Sequence, residues 1–183
     1  MKKLNLGCGK NIKKDYVNLD FIKMPGVNII HNLNKFPWPF KDNEFEEIIS
    51  SHVLEHLEDL EKTMNEIKRI CKNKAKIKFV VPHFSCGDSY RDPTHKRLFS
   101  YFTFDYFTEN SFYKNSKFKI LNRKFNFFGE RTSTGMGEKK YKLLSPFNEL
   151  LSSIVNISPK IYGRFFCWIL PTYEIHIELG VIK

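Results

Sequence analysis

The sequence predicts an α/β fold in which a mostly parallel sheet is closed by an antiparallel C-terminal strand. Three observations predict it. Short β-rich runs alternate with a strongly periodic helical segment, as in strand–helix–strand units. A Gly-Cys-Gly turn follows the first run directly. The last residues alternate apolar with polar, as a strand with two unlike faces does. At 183 residues, 42% hydrophobic and 27% charged, the chain has the size of one domain and a composition near the globular average. That excludes a disordered, collagen-like or disulfide-scaffold protein.

In order, residues 2–6 read as a first strand running into Gly7-Cys8-Gly9. Residues 16–20 form a second, ending on Asp20, and residues 27–30 a third, ahead of His31-Asn32. Phe36-Pro37-Trp38-Pro39-Phe40 is a rigid aromatic turn, because each proline fixes φ and removes a donor. Residues 47–51 make the fourth strand. A helix follows, with Leu57, Leu60, Met64, Ile67 and Ile70 at three- and four-residue steps. Residues 75–81 form a fifth strand stopped by Pro82. Past a polar loop to about residue 97, the aromatic stretch 98–107 is predicted helical, 118–128 a strand and 146–155 a helix. Ile175, Ile177, Leu179 and Val181 then alternate with Glu174, His176, Glu178 and Gly180 in the closing strand, antiparallel or at an edge.

The four cysteines, Cys8, Cys71, Cys86 and Cys167, form no C-x-x-C pair. They predict neither a zinc knuckle nor a disulfide framework and fit a reducing compartment. The N-terminus lacks an apolar signal core, and the longest apolar run, 165–170, falls short of the ~20 residues a spanning helix needs. A cytoplasmic location is expected. The net charge of +10 favours phosphorylated or polyanionic partners.

Gly7 and Gly9 sit where an open parallel sheet receives its ligands, beyond the carboxyl ends of the strands. Asp20, at the end of the next strand, can accept from both hydroxyls of a ribose. Ile12 stands where a dinucleotide fingerprint needs its third glycine, which disfavours a pyrophosphate loop. His52-Val53-Leu54-Glu55-His56 matches the inverted zinc-peptidase signature, but it straddles a strand end and a helix start, and no metal is expected there. Loop-organising hydrogen bonds are the plainer role for Glu55 and His56.

With these motifs in order, the chain resembles the class I S-adenosylmethionine-dependent methyltransferases, specifically the small stand-alone, type 11-like group. The carrying residues are Leu4-Asn5-Leu6-Gly7-Cys8-Gly9, Val17-Asn18-Leu19-Asp20, the segment from Phe36 to Phe45, and Ile48 through Asp59. The resemblance covers about the first hundred residues. It implies a Rossmann-like sheet, S-adenosylmethionine as methyl donor and S-adenosylhomocysteine as product. Gly7, Cys8 and Gly9, with Asn5 before them, would cradle the methionine half, and Asp20 would hold the ribose. Asn32 and Leu33 would lie at the adenine, Asn32 where the family often has Asp, and Ser51 and His52 would line the methionine side. One departure stands out: so few residues separate the glycine turn from Asp20 that the first helix is shortened to a loop.

On this reading the chain is a single methyltransferase domain: a cofactor-binding core over 1–97, lid and acceptor-side elements over 98–171, and a closing strand over 172–183. Catalytic candidates follow the fifth strand: His83 first, then His95, within the turn Asp92-Pro93-Thr94-His95. A hydroxyl acceptor needs a general base, and histidine suits neutral pH. The expected acceptor is an oxygen or nitrogen of a small, anionic molecule, phosphorylated or nucleotide-linked. Related small enzymes often modify building blocks of surface polysaccharides. Residues 114–142 hold nine Lys or Arg against Glu130 and Glu138, a funnel for such an anion or an ordinary solvated face. Within it, Thr132-Ser133-Thr134-Gly135-Met136-Gly137 suits a lid. Residues 161–170, with Phe165, Phe166 and Trp168, could form an apolar patch for a partner or membrane surface. Two alternatives stay open: a nucleic-acid methyltransferase, and a non-catalytic subunit of an oligomer that keeps the fold.

Overall fold

The computed structural model describes residues 1–109, 111, 118–130 and 134–183. The first four runs form strands β1 (Lys3–Leu6), β2 (Val17–Asp20), β3 (Ile29–Ile30) and β4 (Phe45–Ser51). Helix α1 (Leu60–Ile70) leads without a break into β5 (Cys71–Pro82), which is longer than its apolar run because Lys72 to Lys74 extend it. A short helix α2 (Asp88–Arg91) follows, then β6 (Phe118–Asn126), helix α3 (Glu138–Ile157) and β7 (Glu174–Val181). The sheet order is β3-β2-β1-β4-β5-β7-β6. All neighbours through β5 pair in parallel, and β7 runs antiparallel to both β5 and β6. The closing strand is therefore interior, and β6 takes the edge.

Two expectations shift and one holds. Residues 98–107 do not make an α-helix; only Thr103–Phe107 closes, as a 3₁₀ turn, while Phe99 and Phe104 are drawn fully into the core. Helix α3 begins at Glu138 and carries Pro146 inside it. As expected, a loop replaces the first helix between β1 and β2, tied down where Cys8 N donates to the Leu19 carbonyl at 2.9 Å. Part of the basic segment and of the predicted lid (residues 114–117 and 131–133) lies outside the described residues.

The core sits on one face of the sheet. Register aligns Leu4, Ile48, Ile77 and Leu179 across four strands, and all are fully buried. Helix α1 packs Met64, Ile67 and Ile70 into the same cluster. Asp59 caps the helix by accepting from Lys62 N at 2.9 Å. The aromatic turn is buckled to α1: Trp38 N donates to Glu66 Oε1 at 2.6 Å, and Arg69 bridges Glu66, Asp42 and the Phe40 carbonyl. The opposite face is polar. Asn5, Ile49, Lys78, Glu178 and Asn122 align there across five strands, around a depression of about 310 Å³.

All four cysteines are buried free thiols. Among the described residues no helix is long and apolar enough to cross a membrane. Helix α3 nevertheless turns Leu143, Phe147, Leu150, Ile154 and Ile157 outward, each about half exposed or more, and Phe165, Phe166, Trp168 and Ile169 are exposed beyond it.

Candidate functional site

Strand order reverses between β1 and β4, and the crevice outside the carboxyl ends of an open sheet at such a point is where ligands bind. The turn after β1 holds Gly7 and Gly9 at φ +65° and +49°. A Cβ on Gly7 would lie 2.4 Å from Val53 Cγ2, so glycine there lets the turns after β1 and β4 touch. At Gly9 the Cβ position meets nothing within 4 Å and opens outward. Asp20, ending β2, accepts from Gly9 N at 2.8 Å through Oδ2 and from Ile22 N at 3.0 Å through Oδ1. Its carboxylate and the glycine turn thus form one unit, and each oxygen keeps a lone pair for a further donor. Cys8 is buried behind this turn.

The other residues anticipated around a donor also make contacts within the chain. Asn5 Nδ2 donates to the Asn11 carbonyl at 2.8 Å and to Asn18 Oδ1 at 2.9 Å, which organises the loop replacing the first helix. Asn32 is exposed and caps its own turn by accepting from Asn34 N at 2.9 Å. Leu33 packs into the core and its carbonyl receives Trp38 Nε1–H at 3.0 Å. Ser51 borders the polar depression of the sheet.

Past β4, His52 takes a left-handed backbone, φ +54°. Its Nε2 lies 3.1 Å from Glu174 Oε2 and its Nδ1 3.3 Å from Glu55 Oε1. Burial alone would lower this imidazole, but the Glu174 hydrogen bond and the neighbouring charges of Glu174 and Glu55 outweigh it and raise it to about 9. Glu174 mirrors it: burial would raise the carboxyl, yet His176 and His52 hold it down at about 2. Glu174 also accepts from Asn126 Nδ2 at 3.0 Å and Glu130 N at 2.8 Å. Glu174 was missed as a site residue because alternation assigns it to a polar face; in fact it is fully buried.

Past β5, His83 turns inward. It is 1% exposed, packed against Phe84, Phe125 and Tyr162, with Nδ1 2.8 Å from Ser85 Oγ, and burial lowers it to about 4. Such a ring organises the loop. His95 and Asp92 instead border an open cleft of about 460 Å³, together with His52, Glu55, His56 and Arg91. Asp92 Oδ1 accepts from Thr94 N at 2.8 Å and Thr94 Oγ1 at 2.7 Å, bonds that lower its carboxyl. The His56 and His95 rings meet edge to face, with centroids 4.7 Å apart. A neighbouring cleft of about 690 Å³ shares Asp88, Arg91 and Tyr173 with the first and extends to Phe127 and Met136.

The comparisons with known proteins agree with this architecture. Residues 26–79 match a family model described as a methyltransferase domain. An uncharacterized protein of Methanocaldococcus jannaschii is 37% identical over 95 residues, taking in 43% of this chain and 39% of that one, so the match spans well under half of that relative. Among solved structures, an S-adenosylmethionine-dependent methyltransferase from Archaeoglobus fulgidus aligns over 98% of this chain and 85% of its own at 16% identity, with a TM-score of 0.57. A chain of a complex between the Haloferax volcanii Trm112 methyltransferase activator and a methyltransferase aligns over 100% of this chain and 82% of its own at 11% identity, with a TM-score of 0.58.

Proposed function

We propose that this chain, whose fold is that of the class I S-adenosylmethionine-dependent methyltransferases, moves a methyl group from S-adenosylmethionine to an oxygen or nitrogen of a small molecule. The observation that carries the reading is the unit formed by the Gly7–Gly9 turn and Asp20 at the point where strand order reverses. Its open backbone at Gly9 and its carboxylate fit the two ends of a ribosyl-methionine group. When bound, that cofactor supplies an electrophilic sulfonium methyl. Gly7 and Gly9 would approach its methionine side, and Asp20 would accept from its ribose hydroxyls.

The protein's part is then proximity and alignment, which can supply several kcal/mol of the barrier (~7–11). The acceptor would enter the cleft beyond β4 and β5. His56 and His95 border that cleft, whereas His83 is sealed in the core, so activation of a hydroxyl acceptor falls to that pair. Glu55, Asp88 and Asp92 line the cleft against Arg91 and His52. That balance supports an acceptor bringing hydroxyl or amino donors, such as a sugar-like building block, over the anionic acceptor suggested by the overall charge.

Calorimetric titration with S-adenosylhomocysteine tests the reading. Micromolar binding is expected, weakened by ~2 kcal/mol, about thirtyfold, in Asp20→Ala, which loses two ribose hydrogen bonds. Wild-type protein showing no binding heat at several temperatures would overturn it.

A further inference from the structure

We propose that the cleft beyond β4 and β5 holds a divalent transition-metal cation on Glu55, His56 and His95. One ligand atom from each of these three lies within 4.8 Å of the others. Two imidazoles and one carboxylate are a donor set suited to zinc-like ions and leave coordination positions open.

Glu55 carries the argument. It is fully buried, and neither carboxylate oxygen has a hydrogen bond among the described residues. Among the described residues it is ion-paired with His52, whose Nδ1 lies 3.3 Å from Oε1. That pair leaves Oε2 of a buried carboxylate without a partner, which costs stability unless a further donor or cation completes it.

The two histidines are prepared for the same role. Thr94 Oγ1 donates to Asp92 Oδ1 at 2.7 Å, so it receives His56 Nδ1–H at 2.8 Å. The His95 Nδ1–H donates to the Ser89 carbonyl at 3.0 Å. Both rings therefore carry their proton on Nδ1 and keep a lone pair on Nε2. This outer layer of hydrogen bonds is what orients ligating histidines in metal sites. The Lys96 N–H to Glu55 carbonyl bond, 2.7 Å, pins the loop carrying His95 against the turn carrying the other two.

The sequence signature points to different partners. His52 and His56 do not share a helix face, because His52 has left-handed backbone ahead of the 3₁₀ turn Leu54–His56 and faces Glu174. A second grouping, Glu130, Glu174 and His176, also has its ligand atoms within 4.8 Å. There both oxygens of the buried Glu174 are already hydrogen-bonded, so no vacancy asks for an ion. A cation in the first cluster would face the acceptor and could bind one of its hydroxyl oxygens, lowering that oxygen's pKa.

The test uses purified full chain stripped of metal and titrated with cobalt(II) or zinc alone, with no methyl donor, so its failure leaves the donor-site reading standing. Expected are one ion per chain and a cobalt(II) visible spectrum showing nitrogen ligation. His56→Gln, His95→Asn and Glu55→Gln should each weaken binding ~10-fold or more, with folding followed by circular dichroism. Thr94→Val should weaken it less while leaving all three ligands in place. His176→Gln should change nothing. No stoichiometric binding to the wild type would overturn the site, whatever the variants do. So would binding that survives His95→Asn or is lost in His176→Gln.

Discussion

The buried ring of His83 makes the stability of this protein depend on pH in a calculable way. Burial holds it at about 4 in the folded chain, against an ordinary 6.5 when unfolded. Below 6.5 the unfolded chain takes up a proton that the folded chain refuses until about pH 4. Stability from this group is therefore complete above 6.5 and lost as pH falls from 6.5 through 4. The full difference is ~3 kcal/mol, of which ~2 kcal/mol is already lost at pH 5. Replacing His83 by Asn keeps an acceptor near Ser85 and removes the titration. Urea unfolding of both proteins at pH 7 and pH 5 reads the effect. The wild type should lose ~2 kcal/mol more than His83→Asn between the two. A differential loss under ~0.5 kcal/mol, or a nuclear magnetic resonance titration placing His83 near 6.5 in the folded protein, would refute the reasoning.

Gly7→Ala should destabilise by ~2–4 kcal/mol, because a left-handed φ and a contact of 2.4 Å with Val53 act together. Adding Val53→Ala should restore the contact component and leave the backbone component, a split that thermal melts can read. Leu143→Ser, Phe147→Ser and Leu150→Ser on the outer face of α3 should each change stability by no more than ~0.5 kcal/mol. A loss above ~1.5 kcal/mol in chemical unfolding would show that this face is covered in solution.

The sequence determined whatever depends on neighbours along the chain. Leu60, Met64, Ile67 and Ile70 recur at helical steps, and α1 buries that face. Gly7-Cys8-Gly9 and Asp20 are expected at the ends of β1 and β2, and they stand there. The interval between them left no room for a helix, and the chain crosses as a loop. The polar face of the sheet is carried in part by Lys74, Lys76 and Lys78, an alternation with Ala75, Ile77 and Phe79 that the strand assignment did not use. A parallel strand covered on both sides would be apolar throughout.

Tertiary structure decided which polar groups lose their water. Glu174 and His52 are 122 residues apart, and only the insertion of β7 beside β5 brings them together as a buried ion pair. Nothing in the spacing of His83 and His95 tells that one is sealed among aromatic rings while the other borders a cleft. Nor does the spacing Glu55-His56 reveal that His95, carried back by a loop, completes their group. The physical reason is one of range. Periodicity and turn chemistry act over a few residues and are written locally. Desolvation and Coulomb energies depend on whatever the fold brings within a few ångströms, from anywhere along the chain.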